Sequence, residues 1–101
     1  DYVLFAGATR DTGYGYETDG EINIATFNDP TSSSFRYNGS SSSYGAAGTQ
    51  YLDGINVGCR YNNVDFLNAH ICEMFIIDIA LTADDITEID NYLKPKWGIT
   101  Y

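Results

Sequence analysis

The chain has 101 residues, of which 44% are hydrophobic and 15% aromatic, enough for one small folded domain and too apolar for a disordered segment. Its 14 Asp and Glu against 5 Lys and Arg leave a net charge of −9, and the cations are scattered, so neither nucleic-acid phosphates nor an anionic membrane surface is an expected partner. No apolar run approaches the roughly 18 residues that a membrane-spanning helix needs, so no membrane insertion is expected either.

Tyr2 to Ala8 is apolar and β-favouring, and reads as a strand entered directly. With Asp1 in place of an initiator Met, a mature or trimmed product is expected, any export signal having been removed with the missing piece. From Thr9 to Gly20 the chain is rich in Gly, Thr and Asp, which predicts a loop or twisted hairpin presenting Tyr14 and Tyr16 and closing on an Asp19-Gly20 turn. Glu21 to Phe27 alternates polar and apolar residues, the pattern of a half-buried strand, and Asn28-Asp29-Pro30 ends it. Ser34-Phe35-Arg36-Tyr37 is a second short alternating run, followed by a hairpin-type Asn38-Gly39 turn. Asn38-Gly39-Ser40 also matches a glycosylation sequon, meaningful only in a secreted chain. Ser40 to Gly48 is low in complexity and predicts a long surface loop, carrying Tyr44, that cannot fill a core.

Beyond Tyr51-Leu52 and an Asp53-Gly54 turn come two runs, 55–61 and 69–79, that would pair as antiparallel strands. The second is apolar on both faces toward its end, as a central strand between two layers would be. Such pairing sets Cys59 opposite or nearly opposite Cys72. A cross-strand disulfide is then geometrically allowed; the alternative is two buried thiols acting as small hydrophobes. Thr82 begins a helix as its N-cap, with Asp85 at N3 and Ile86, Ile89 and Leu93 along one face, and the helix is expected to stop before Pro95. Short strands, Gly/Asn/Asp turns and one helix make an all-β antiparallel sandwich the expected fold.

The pieces Ile55-Asn56-Val57-Gly58, Leu67 to Asp78, Ala80-Leu81-Thr82, Asp85-Ile86, Tyr92-Leu93 and Lys96-Trp97-Gly98-Ile99 stand in an order and spacing that resembles the C-terminal end of bacterial and viral laminin-G-like, concanavalin A-like jelly-roll modules. Leu67 and Ala69 depart from the Phe and Gly usual there, which suggests an altered bend in that strand. The residues before 50 carry no matching motif. The resemblance implies a single jelly-roll domain over 1–101, the C-terminal part of a longer polypeptide or an abbreviated sandwich. It also implies that Tyr92 and Trp97 plug the helix and tail onto the sheet, with Trp97 and Ile99 buried against 71–79. Glu73 reads as a satisfied structural carboxylate rather than a base.

Catalytic machinery is sparse. Glu17, Asp19 and Glu21 have the alternate spacing of the carboxylates in jelly-roll glucanases, where two carboxyls about 5 Å apart carry retaining hydrolysis. Thr18 and Gly20 between them do not anchor such a strand, however, and Asp19-Gly20 is a turn signal. His70 and Cys72 form only an i, i+2 pair, too few ligands for a metal site. The expectation is therefore a non-enzymatic, extracellular or virion-surface module with no cofactor other than Ca²⁺. Its first form is a lectin-like carbohydrate-binding or adhesion module, in which Tyr14, Tyr16 and Tyr44, with Tyr37, stack on sugar rings while Asp19, Asp11 or Asp53 hold hydroxyls or the cation. Its alternative is a structural part of a virion assembly, a fibre, decoration or tail component, whose partners are neighbouring subunits.

Overall fold

The computed structural model describes residues 3–5, 9–13, 15, 20–28, 32–48, 57, 64 and 66–101. In these, β1 (Val3–Phe5) and β2 (Thr9–Asp11) form an antiparallel pair with Val3 opposite Asp11. The stretch expected as loop or twisted hairpin from Thr9 thus begins as a strand. A three-stranded antiparallel sheet follows in sequence order: β3 (Asn23–Asn28), β4 (Ser32–Tyr37) and β5 (Ser40–Ser43).

The β4–β5 connection is the two-residue Asn38-Gly39 turn expected from sequence. Asn38 (φ 43°) and Gly39 (φ 86°) are both left-handed, the combination whose twist matches a hairpin. Asn38 also ties the turn to the entrance of β3: its side chain accepts from the Ile22 amide at 2.9 Å and its own amide donates to the Ile22 carbonyl at 3.1 Å.

Period two in the sequence becomes two chemically different faces. Phe35 lies opposite Ala25 and Ser42, and its face is covered by the chain leaving β5, where Ala47 is buried and Tyr37 and Tyr44 pack alongside. The Ser33 hydroxyl donates to the Gly45 carbonyl at 2.7 Å and the Tyr44 amide to the Ser33 carbonyl at 2.9 Å, fixing that return. The Ser40–Gly48 expectation is therefore corrected twice. Its first four residues are a strand, because β4 offers a free edge and backbone pairing needs no apolar side chain. Its tail then enters the core, because Ala47 is small enough to lie flat on Phe35. On the opposite face Ile24 stands across from Arg36.

The helix α1 (Ala83–Trp97) starts as expected. Thr82 Oγ1 accepts from the Asp85 amide at 3.2 Å and Asp85 Oδ2 accepts from the Thr82 amide at 2.8 Å, so each satisfies an otherwise unpaired donor. Ile86 and Ile89 are half-buried and Leu93 is buried, one turn apart along one side. The expected stop before Pro95 is not observed. Pro95 falls in the last turn, where its missing N–H costs one helical bond, and termination is left to Gly98. Gly98 is left-handed (φ 67°), and both its amide and that of Ile99 (3.0 Å) donate to the Lys94 carbonyl.

The largest departure concerns 69–79. Residues 70–77 have no regular secondary structure, and Ile71, Met74, Ile76 and Ile77 are exposed along with Phe75 (51%) and Ile79 (69%). A central strand needs sheet neighbours and two covering layers. Among the described residues this segment has one covering element, α1, and no paired strand. The described fold is thus antiparallel β structure plus one helix, with a small core of Ile22, Phe35, Ala47 and Leu93.

Candidate functional site

Among the described residues, two surfaces join the helix to the rest of the chain, and both are built from helical spacing. The first lies over residues 73–81. Tyr92 and Lys96 are four residues apart on α1 and Trp97 follows, so their side chains converge on the preceding segment. Glu73 Oε1 accepts from the Tyr92 hydroxyl at 2.7 Å, and Oε2 accepts from Trp97 Nε1 at 2.8 Å. The Lys96 ammonium lies 3.2 Å from Oε2 and 4.7 Å from the centre of the Tyr92 ring. Phe75 meets Tyr92 edge to face at 6.4 Å.

These donors hold the Glu73 carboxyl below the ordinary carboxylate range, Trp97 first, then Tyr92, with Lys96 adding to them. Lys96 is correspondingly raised, by Tyr92 and then Glu73. Glu73 is thus a satisfied carboxylate, as expected from sequence, and its three donors make it a tether between the segment and the helix. Trp97 is its partner, yet it is 43% exposed, and Ile99 is only half-buried. The expected buried plug is therefore corrected: among the described residues no layer closes over the ring, so Trp97→Ala should cost less than truncating a buried aromatic.

Asp85, too, is held below the ordinary range, by the Thr82 hydroxyl and amide. Both acids have folded pKa values below their unfolded ones, so their stabilisation is complete above the ordinary carboxylate range and is lost as pH falls through it. Helix content followed by circular dichroism should stay flat down to about pH 4–4.5 and then decline, and Glu73→Gln should remove part of that slope. A profile unchanged by Glu73→Gln would show that the tether carries none of it.

Beside the tether, the segment and the helix enclose an open groove of about 350 Å³. Phe75, Ile77, Ile79 and Leu81, alternate positions along the chain, line it from the segment, and Asp85, Glu88, Ile89 and Tyr92 line it from α1.

The second surface links α1 to the sheet. Arg36, on the Ile24 face of β4, makes a two-pronged ion pair with Asp90, its Nη1 at 3.0 Å from Oδ1. The Tyr101 hydroxyl donates to the same Oδ1 at 2.8 Å, and Lys94 Nζ donates to the Tyr101 backbone oxygen at 2.8 Å while lying 4.0 Å above the ring centre. Burial opposes the Arg36 charge, but its bonds to Asp90 and Tyr101 outweigh that and raise it; burial and then Asp90 raise the Tyr101 phenol. Neither end of this clasp was singled out from sequence. Its one signal was a charge at Arg36 amid an otherwise uncharged strand.

Of the residues expected to bind ligand, Tyr44, Tyr37 and Asp11 lie among the described residues. Tyr44 is half-buried against the Phe35–Ala47 core and its hydroxyl donates to the Thr12 carbonyl at 2.7 Å, so its ring serves packing. Tyr37 packs there also. Asp11 accepts from the Gly13 amide at 2.9 Å, and Glu21 from the Asn23 side chain at 2.8 Å. Tyr14, Tyr16, Glu17, Asp19 and Asp53 lie outside the described residues, as does most of the 55–61 run. Cys72 and His70 are exposed, while Cys59, its expected disulfide partner, lies outside the described residues. Among the described residues no three His, Cys, Asp or Glu side chains gather into a metal-sized cluster, and no helix is long and apolar enough to cross a membrane. No family model, curated protein or solved structure matches the chain.

Proposed function

We propose that this chain is a non-catalytic assembly module of jelly-roll type, belonging to a surface, secreted or virion protein, that docks neighbouring polypeptide on the face made by residues 71–81 and α1. The observation that carries the reading is the run Ile71, Met74, Phe75, Ile76, Ile77 and Ile79, all about half exposed or more. Soluble monomers rarely leave so much contiguous apolar surface in water, and a run apolar on both sides suits a strand between two layers. The jelly-roll part rests on the antiparallel β3–β5 sheet and on the resemblance of Ile55 to Ile99. The non-catalytic part is supported by the engagement of Glu73 with three donors.

A carbohydrate-binding reading keeps one specific observation: Tyr92 and Trp97 are half-exposed rings beside Glu73 and Lys96, the company that sugar stacking requires. One experiment separates the two. A photo-crosslinking amino acid at position 79, in the protein within its native particle or secreted complex, should give adducts to another polypeptide. No adduct, together with binding on a glycan array that Trp97→Ala abolishes, would transfer the assignment to carbohydrate.

A further inference from the structure

We infer that Asn38 is the attachment site of an N-linked oligosaccharide, carried on the β4–β5 turn while the same side chain holds that turn to the entrance of β3. The inference rests on the surface or secreted reading above, because the transferase and its lipid-borne donor meet only exported chains. Asn38-Gly39-Ser40 has the acceptor spacing, an Asn with a hydroxyl two residues on and no Pro between, and the chain has no other such tripeptide. The fold decides whether a bulky polar group can hang there. The tripeptide makes the two-residue turn and the first residue of β5, with Gly39 and Ser40 exposed.

The two atoms of the Asn38 carboxamide are free to serve different ends. Oδ1 accepts from the Ile22 amide at 2.9 Å, and the Asn38 main-chain amide donates to the Ile22 carbonyl at 3.1 Å, so neither bond uses Nδ2. An N–H donor must face an acceptor, which sets the oxygen and not the nitrogen toward Ile22. Oδ1 and Nδ2 diverge from Cγ in one plane, so Nδ2 is turned away from that contact. A sugar on Nδ2 displaces neither bond, and both continue to hold Asn38 in its left-handed conformation (φ 43°). In the transfer, Nδ2 bonds to the anomeric carbon of an oligosaccharide carried on a polyprenyl diphosphate. The bond from that carbon to the diphosphate breaks, its electron pair leaving with the diphosphate oxygen, and one Nδ2 proton passes to the transferase.

The test routes the full chain through the secretory pathway of a eukaryotic cell behind a cleavable signal, beside Ser40→Ala, Ser40→Thr and Asn38→Asp. Secreted protein is digested with peptide-N-glycosidase in heavy-oxygen water, which leaves a heavy aspartate wherever a glycan was removed, and peptides are read by mass spectrometry. Position 38 should be glycosylated in the parent, at least equally so in Ser40→Thr, and bare in Ser40→Ala. Asn38→Asp should also be bare yet fold, since it keeps the oxygen that Ile22 uses. The undigested glycoform should match Ser40→Ala in circular dichroism and urea midpoint. An unmodified Asn38, or aspartate with light oxygen alone, which marks spontaneous Asn-Gly deamidation, overturns the inference. So does a glycoform with a lowered midpoint, because the turn would then not accommodate the sugar. Glycan on the routed chain with none on the protein from its native particle or complex would confirm the site and refute the secreted reading; a bare routed chain refutes the site alone.

Discussion

Phe35→Ala is expected to cost about 3–5 kcal/mol, the usual range for truncating a core phenylalanine, and to be the most damaging single change among the described residues. Phe35 is 4% exposed, and its ring is the platform on which Ala47, Tyr37 and Tyr44 converge. Removing it leaves a cavity that Ala47 is too small to fill. The return of the chain after β5 depends on that platform, since the Tyr44 amide and hydroxyl are positioned by it to reach Ser33 and Thr12. With so small a core among the described residues, the loss takes a large share of a typical total stability. Urea unfolding checks it. A midpoint within error of the parent would mean that the Phe35 cluster does not organise the fold.

The second large effect is expected at the clasp. Arg36 and Asp90 retain 13% and 15% of their side-chain exposure, so the pair is well shielded from water and salt. Removing one member strands the other: Asp90 without Arg36 keeps only the Tyr101 hydroxyl, and Arg36 without Asp90 has a charge that burial already opposes. Either single alanine variant should cost about 1–3 kcal/mol, between the values for exposed and fully buried pairs. Arg36→Lys should not restore it, because a single ammonium cannot reproduce the two-pronged contact. The readout is local as well as global. Amide exchange across residues 83–97 should accelerate more than exchange within β3–β4, since the clasp joins the helix to the sheet. Uniform acceleration, or a double-mutant cycle with no coupling between positions 36 and 90, would refute the assignment.

What the amino-acid sequence determined by itself is local. The Asn38-Gly39 turn, the alternation in β3 and β4, the Thr82–Asp85 capping box and the Ile86-Ile89-Leu93 stripe all depend on residues within one turn or one strand of each other, so their chemistry was complete in the linear order. The sequence reads Glu73 as a satisfied carboxylate on the ground of a buried strand; its donors come instead from Tyr92, Lys96 and Trp97 on α1, while the run itself is exposed. Tertiary structure decided the rest. That Ser40–Ser43 pairs as a strand follows from the free edge of β4, and that Ala47 is core follows from where the return meets Phe35; neither is encoded in a Ser-rich composition. Arg36 finds Asp90 across 54 positions, a match that no local pattern announces. Pro95 is tolerated because it occupies the last turn and Gly98 provides the cap. The apolar run 71–79 shows the division most sharply. Its sequence states that it is to be covered on both sides, but covering is a property of neighbours, and among the described residues α1 alone supplies one.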